Sequence, residues 1–375
     1  MVRAPRRLAI CLLVALAGFD LLQILAALRV PGRQDFFGLW SFARFIHENQ
    51  AAGLYDPVGL GLYQHRLAPD FTTFYPFAYP PDMLLPLWPF GALPYREAWV
   101  VWLGMSAALF AMACWSLLRG SRRWRGFGMA LVLLAPASLM NAITGETGYF
   151  AAALLAGGFA LLPARPVLAG LLFGLLSLKP QIAVLLPFAL AGVGAWRSLF
   201  AATVSALALA LLSCVAFSPQ LWLVWAHALP VYQGLVGQNA RLYGLMTNIS
   251  ALPLSLGAGP LFSESLQLAA SAMLAGGCYA AFRWGSYRLA VAALLAGTQA
   301  AAMHVLVYDA AAASLVPLLL LEQYGPRLTV AELLLGGAAL AAPFFADGGV
   351  GPANLAGLVY AGVSLRLAWL ACRGA

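Results

Sequence analysis

Charge is what this chain has least of. Only 9% of its 375 residues are Asp, Glu, Lys or Arg, and Lys179 is the only lysine. A soluble domain carries roughly 25% charged residues, so too few charges are present to cover a water-facing globule. Also missing are a Walker motif, a Gly-rich dinucleotide fingerprint, a G-x-S-x-G elbow and any zinc-type His/Cys spacing. Those absences argue against a nucleotide-binding enzyme, and neither a cofactor nor a set of metal-ligating residues is expected. The five cysteines (Cys11, Cys114, Cys214, Cys278 and Cys372) lie far apart, within or beside apolar runs, as small packing residues do. The net charge of +8 is dispersed along arginines at the ends of those runs. With no basic face to grip phosphates, nucleic acid is excluded as a partner.

What is present is apolar sequence, 63% of the chain. Continuous Leu- and Ala-rich runs recur from end to end, and about 20 such residues cross the hydrocarbon core of a membrane. Backbone polar groups in lipid must bond to one another, which leaves helices or a closed barrel, and unbroken runs select helices. The expected fold is all-α: a polytopic membrane protein of about twelve transmembrane helices, forming a single domain over 1–375. The spans fall near 8–28, 97–118, 127–143, 148–163, 166–178, 181–195, 198–217, 264–282, 288–303, 310–321, 328–345 and 352–371. The first, preceded by Arg3, Arg6 and Arg7, is too long for a signal peptide and lacks a small-x-small cleavage site. It reads as an uncleaved helix.

The positive-inside rule orients this set. With the N-terminus inside, the cytoplasmic segments hold Arg119, Arg122, Arg123, Arg125, Arg165, Arg197, Arg283, Arg288, Arg327 and Arg373. The outer segments hold most of the acids, among them Asp35, Glu48, Asp56, Asp70, Asp82, Glu97, Glu146, Glu264 and Asp309. Two outer segments are long. The first, 29–96, opens with an apolar stripe at helical spacing (Phe36, Trp40, Ala43, Ile46) and predicts short amphipathic helices. It then runs into aromatic and proline-rich sequence of interfacial character. The second, 218–263, carries Trp222, Trp225, His227, Tyr232, Arg241 and Tyr243.

All four histidines, Lys179 and Glu146 map to that outer side. Outer loops are where polar residues ordinarily go, and each residue has a plain structural role to weigh. Asp35 could cap the helix that starts at Phe36. Lys179, in Lys179-Pro180-Gln181, could snorkel to the interface. His304 could be a satisfied packing residue, and Tyr55 and Asp56 could be turn residues before Pro57. Together they are harder to dismiss, because Glu146, Lys179, His304 and Asp309 sit at the ends of otherwise apolar helices. Ionisable groups at membrane depth are costly and usually face an internal cavity with a task.

These residues also carry a likeness. An Asp shortly after the first helix, then Ala52-Gly53-Leu54-Tyr55-Asp56, Tyr79-Pro80-Pro81 with Pro86-Leu87, and Leu178-Lys179-Pro180-Gln181 resemble glycosyltransferase family 87. Its members are multispanning enzymes of the GT-C type, best known as mannosyltransferases that use polyprenyl-phosphate mannose. The resemblance covers nearly the whole chain in layout. It implies that Asp35 is the general base and that His304 lies in the active site. The chain departs from the pattern after the third helix, where Gly145-Glu146-Thr147-Gly148 replaces a Gly-Gln-x-Asn type motif.

The chemistry fits the residues on their own terms. Transfer from a lipid-linked sugar phosphate needs a carboxylate to take the acceptor's proton and cations for the departing phosphate. Lys179, Arg241 and Arg66 are the candidate cations, with His304 and Gln181 beside donor phosphate or sugar. Tyr55, Asp56, Tyr79, Glu146, Tyr308 and Asp309 are candidates for the acceptor side or the pocket wall. The expected partners are membrane lipids, a polyprenyl-phosphate sugar and a lipid or glycan acceptor. The expected location is a bacterial cytoplasmic (inner) membrane, with the site facing the periplasm or exterior. The alternative is a transporter or flippase of lipid-linked saccharides, which would more often show paired broken helices in two related halves. A third reading is a non-catalytic membrane assembly factor, favoured only if Asp35 is dispensable.

Overall fold

The computed structural model describes residues 35–70, 73–237, 240–346 and 354–373, together with Gly18, 21–26 and Arg29. The expected first span, 8–28, lies mostly outside the described residues, and those described within it, Gly18 and 21–26, are helical. Among those described, every regular element is a helix, and a single β-bridge, Met246 to Leu306, is the only extended pairing.

Among the described residues, three helices are long and apolar enough to cross a membrane: Tyr95–Leu117, Trp196–Phe217 and Pro260–Trp284. A fourth forms if Arg122–Leu133 and Pro136–Thr144 count as one span bent by 58°. Pro136 accounts for that bend. The residue before a proline is driven out of the helical region, and Ala135 is extended (φ −70°, ψ 154°). Among the described residues three or four helices meet that length, so the expected twelve spans are not confirmed. Most other expected spans do fold as helices, but shorter ones: Gly148–Leu161, Pro166–Gly174 and Leu186–Gly192. Membrane character is plainest on Trp196–Phe217, where Phe200, Val204, Leu207, Leu211 and Val215 form an exposed apolar stripe at helical spacing. A water-facing surface does not carry so large an apolar patch.

The core centres on Tyr287–Ala301, in which every residue from Leu289 to Ala301 is buried. Its alanines let Ala356–Arg373, Pro260–Trp284 and Val316–Tyr324 approach closely. A second apolar cluster belongs to the expected outer loops. There Phe36–Glu48 is buried on nearly all sides rather than on one stripe, because Leu84–Gly91 and the start of Tyr95–Leu117 close over it. Gln220–Gly237, from the second loop, packs on the first: the Trp225 indole donates to Ala78 O at 3.3 Å, and the Tyr232 hydroxyl to Leu54 O at 3.5 Å. Both outer segments thus form one folded layer over the ends of the long helices.

Candidate active site

Two glycines bring the site together. Gly145 ends Pro136–Thr144 in the left-handed conformation (φ 70°), which glycine adopts without the steric cost other residues meet. Its carbonyl accepts the Trp102 indole N–H at 2.9 Å. A side chain on Gly145 would come within 2.7 Å of the Phe36 Cβ, so the neighbours of these two residues, Glu146 and Asp35, are drawn into one region. Gly148 opens Gly148–Leu161, and a Cβ there would lie 2.1 Å from the Tyr308 carbonyl. That contact seats Glu146 and Thr147 against Tyr308 and Asp309. The Gly145-Glu146-Thr147-Gly148 segment is therefore the hub of the site.

Lys179 arrives from another element. It sits between the 3₁₀ turns Leu175–Leu178 and Pro180–Ala183, in extended backbone (ψ 71°) where Pro180 breaks the run. Its ammonium is buried and donates to Asp309 Oδ1 at 2.5 Å and to Thr147 Oγ1 at 3.0 Å. An ammonium has three donor hydrogens, and these contacts use two. The ion also lies 5.3 Å from the centre of the Tyr308 ring. Thr147 passes the connection on, its hydroxyl and its N–H both donating to Glu146 Oε2, at 3.2 and 2.9 Å. The Tyr79 hydroxyl donates to the same oxygen at 3.1 Å. Asp309 is fixed from behind: its Oδ2 accepts Leu306 N–H at 3.2 Å, and its carbonyl accepts Gln299 Nε2 at 3.0 Å. A small cavity of about 10 Å³ adjoins Lys179 and Thr147, its remaining wall made of apolar side chains such as Met83, Phe150 and Leu178.

Asp35 completes the group. It precedes Phe36–Glu48, yet its carboxylate makes no capping hydrogen bond. The Tyr75 hydroxyl donates to it instead. Burial, and then the negative charge of Glu146, push its pKa up to about 7, against the Tyr75 hydrogen bond and the Lys179 charge, which favour the ionised form. Tyr75 is held by Gln64, which accepts the Tyr75 N–H at 3.0 Å and donates to its carbonyl at 2.9 Å. Gln64 belongs to Pro57–Leu67, whose N-cap is Asp56, accepting Val58 N–H at 3.1 Å.

Of the residues singled out in the sequence, Asp35, Tyr79, Glu146, Lys179, Tyr308 and Asp309 come together here. The others stand apart. Asp56 is an exposed helix cap, and Tyr55 is a scaffold residue whose hydroxyl donates to Tyr79 O at 3.0 Å. Arg66 is exposed, with its guanidinium 5.4 Å from the centre of the Tyr63 ring. His304 is exposed in left-handed backbone (φ 54°), outside the Lys179 cluster. Gln181 is half-buried in the turn after Lys179. The Arg241 side chain lies outside the described residues. Thr147, Tyr75 and Gln64 were not foreseen. Thr147, adjacent to Glu146, carried the only signal. Among the described residues, no three His, Cys, Asp or Glu side chains are placed to hold a metal ion.

The arrangement is a buried carboxyl, that of Asp35, in one cluster with a buried ammonium, that of Lys179. No curated protein and no solved structure matches the chain. The family model of glycosyltransferase family 87 matches residues 77–308, a segment that includes Tyr79, Glu146, Lys179 and Tyr308. The chain belongs to glycosyltransferase family 87.

Proposed function

We propose that this glycosyltransferase takes a hexose, mannose or a close relative, from a polyprenyl-phosphate donor and attaches it to a hydroxyl of a lipid or glycan acceptor. In this reading the reaction takes place on the non-cytoplasmic face of a bacterial inner membrane. Asp35 accepts the acceptor's hydroxyl proton as that oxygen forms its bond to the anomeric carbon. The bond from that carbon to the phosphate oxygen breaks, and its electron pair leaves with the phosphate. Attack opposite the leaving group inverts the anomeric centre. Lys179 offers its third hydrogen to the departing phosphate, with Asp309 and Thr147 fixing its direction. Glu146, one residue from Thr147, keeps the proton affinity of Asp35 high.

One observation supports the reading above all: Asp35 stands where a helix cap belongs and does not cap. Its carboxyl is instead held by Tyr75 with a pKa of about 7, close to the value that best serves a general base at neutral pH. The test is to reconstitute the pure protein with a panel of polyprenyl-phosphate sugars and an acceptor extract, and to follow donor consumption by mass spectrometry. Consumption of one donor, with release of polyprenyl phosphate, is the expected result. Indifference to every lipid-linked sugar, with turnover of a nucleotide sugar, would overturn the donor class.

A further inference from the structure

The opposite ends of the same helices hold a second polar cavity. Gly148–Leu161 and Tyr287–Ala301 each have one end at the carboxylate site, through Gly148 and Gln299. At about 1.5 Å per residue, helices of this length put their other ends roughly 20 Å away. There a cavity of about 50 Å³ is lined by Arg119, Arg288, Tyr287, Leu117, Phe159 and Leu319, among others. A buried water needs roughly 10–15 Å³ on this measure, so the space holds three or four waters, or the oxygens of one phosphate.

The charges around it do not balance. Glu322 is the carboxylate at this place, and it is heavily used. It pairs with the Arg288 guanidinium, and its Oε1 accepts Arg119 N–H at 2.7 Å and the Trp124 indole N–H at 3.1 Å. Only the backbone of Arg119 is engaged there. Among the described residues its guanidinium, exposed at the cavity, has no hydrogen-bond or ion-pair partner. Two guanidinium-bearing residues thus line one small cavity with one carboxylate between them. Like charges brought together in this way are stabilised by an anion. Its floor is apolar, and Leu117 is the last residue of the spanning helix Tyr95–Leu117. The cavity therefore lies at the depth where a membrane meets water, the level of lipid phosphates.

We infer that this cavity is a second binding site, distinct from the transfer site, that takes the phosphate group of an anionic membrane lipid between Arg119 and Arg288. Arginine suits phosphate oxygens through its fixed fork of donors. Basic pockets between membrane helices are the usual places for such head groups. Arg197, on Trp196–Phe217, does not line this cavity and serves as the control.

The experiment uses the full chain in mixed micelles of phosphatidylglycerol and phosphatidylcholine, with native mass spectrometry counting the retained lipid. The wild type should retain phosphatidylglycerol in preference to phosphatidylcholine. Arg119→Gln should hold it about tenfold less tightly, the scale of one lost charge-assisted contact. Arg119→Lys should keep part of the binding, and Arg197→Gln all of it. Helical content and unfolding temperature, measured on each variant, should match the wild type, because the Arg119 side chain bonds to nothing in the fold. Equal retention by wild type and Arg119→Gln, or no preference for the anionic lipid, would overturn the site. Displacement of the lipid by millimolar glycerol 3-phosphate would replace the membrane lipid with a soluble phosphate ester as its ligand. No step requires sugar transfer, so the outcome is independent of the proposed activity.

Discussion

Gly148–Leu161 and Tyr287–Ala301 carry polar groups at both ends, and the two ends are built with opposite excess. At one, three carboxyls, those of Asp35, Glu146 and Asp309, gather around one ammonium, that of Lys179, which pairs with Asp309. At the other, Arg288 pairs with the carboxylate of Glu322, and the Arg119 guanidinium lines the same cavity without a partner among the described residues. Buried negative excess holds a proton more tightly, so the first end suits proton acceptance. Positive excess at an interface attracts an anion, so the second suits binding without chemistry. The same helices carry both because each end is closed by different loops: a folded aromatic layer at one, short arginine-bearing turns at the other.

The sharpest way to break this comparison is to remove proton acceptance at the carboxylate end alone. Asp35→Asn should leave the fold intact, since no capping bond is lost. It should lower transfer by about 10²–10⁴-fold, the usual cost of a missing general base, while donor lipid still binds. Measuring both donor binding and turnover of the purified variant separates this from misfolding. Next in size is Lys179→Ala, expected to weaken donor binding and turnover about tenfold or more through one lost charge-assisted contact. Lys179→Arg should retain part of each. Arg119→Gln, at the other end, should leave transfer kinetics unchanged, so that the two ends separate in a single assay. The smallest effect belongs to Asp56→Asn. Asparagine caps a helix about as well as aspartate, so activity and unfolding temperature should both stay at the wild-type level.

Glu146, Lys179 and Asp309 were legible in the sequence because each stands at the end of an apolar run, whereas Asp35 was singled out by the family likeness. Lys179 and Asp309 stand out for that reason alone, and they prove to be bonded to each other across 130 positions. Neutral partners gave no such contrast. Tyr75 is one aromatic residue in an aromatic stretch, and nothing local ties it to Asp35. That link runs through Gln64 and exists only once Pro57–Leu67 has packed. Glu146 looked like a departure from a familiar motif, and the two glycines around it were silent until their contacts with Phe36 and Tyr308 were known. His304 shows the converse. A histidine at an apolar helix end invites a role, but it lies in left-handed backbone, apart from the Lys179 cluster. In the fold, helix type was legible from the unbroken runs. Span boundaries were not, because Pro136 bends one apolar run and Pro180 breaks another into shorter helices.

The central claim is that Asp35 is a base whose proton affinity is set by its neighbours. The pH dependence of kcat/KM tests it most directly, compared between wild type and Glu146→Gln. The Asp35 pKa is raised to about 7, so the reactive ionised form disappears as pH falls through that value. The wild-type rate should drop about tenfold per pH unit on the acid side. Glu146 is one cause of the rise. Replacing it with neutral glutamine should move the acid limb to lower pH, even if the plateau rate is reduced. An acid limb that stays in place in Glu146→Gln, or a wild-type profile flat through the neutral range, would contradict the account.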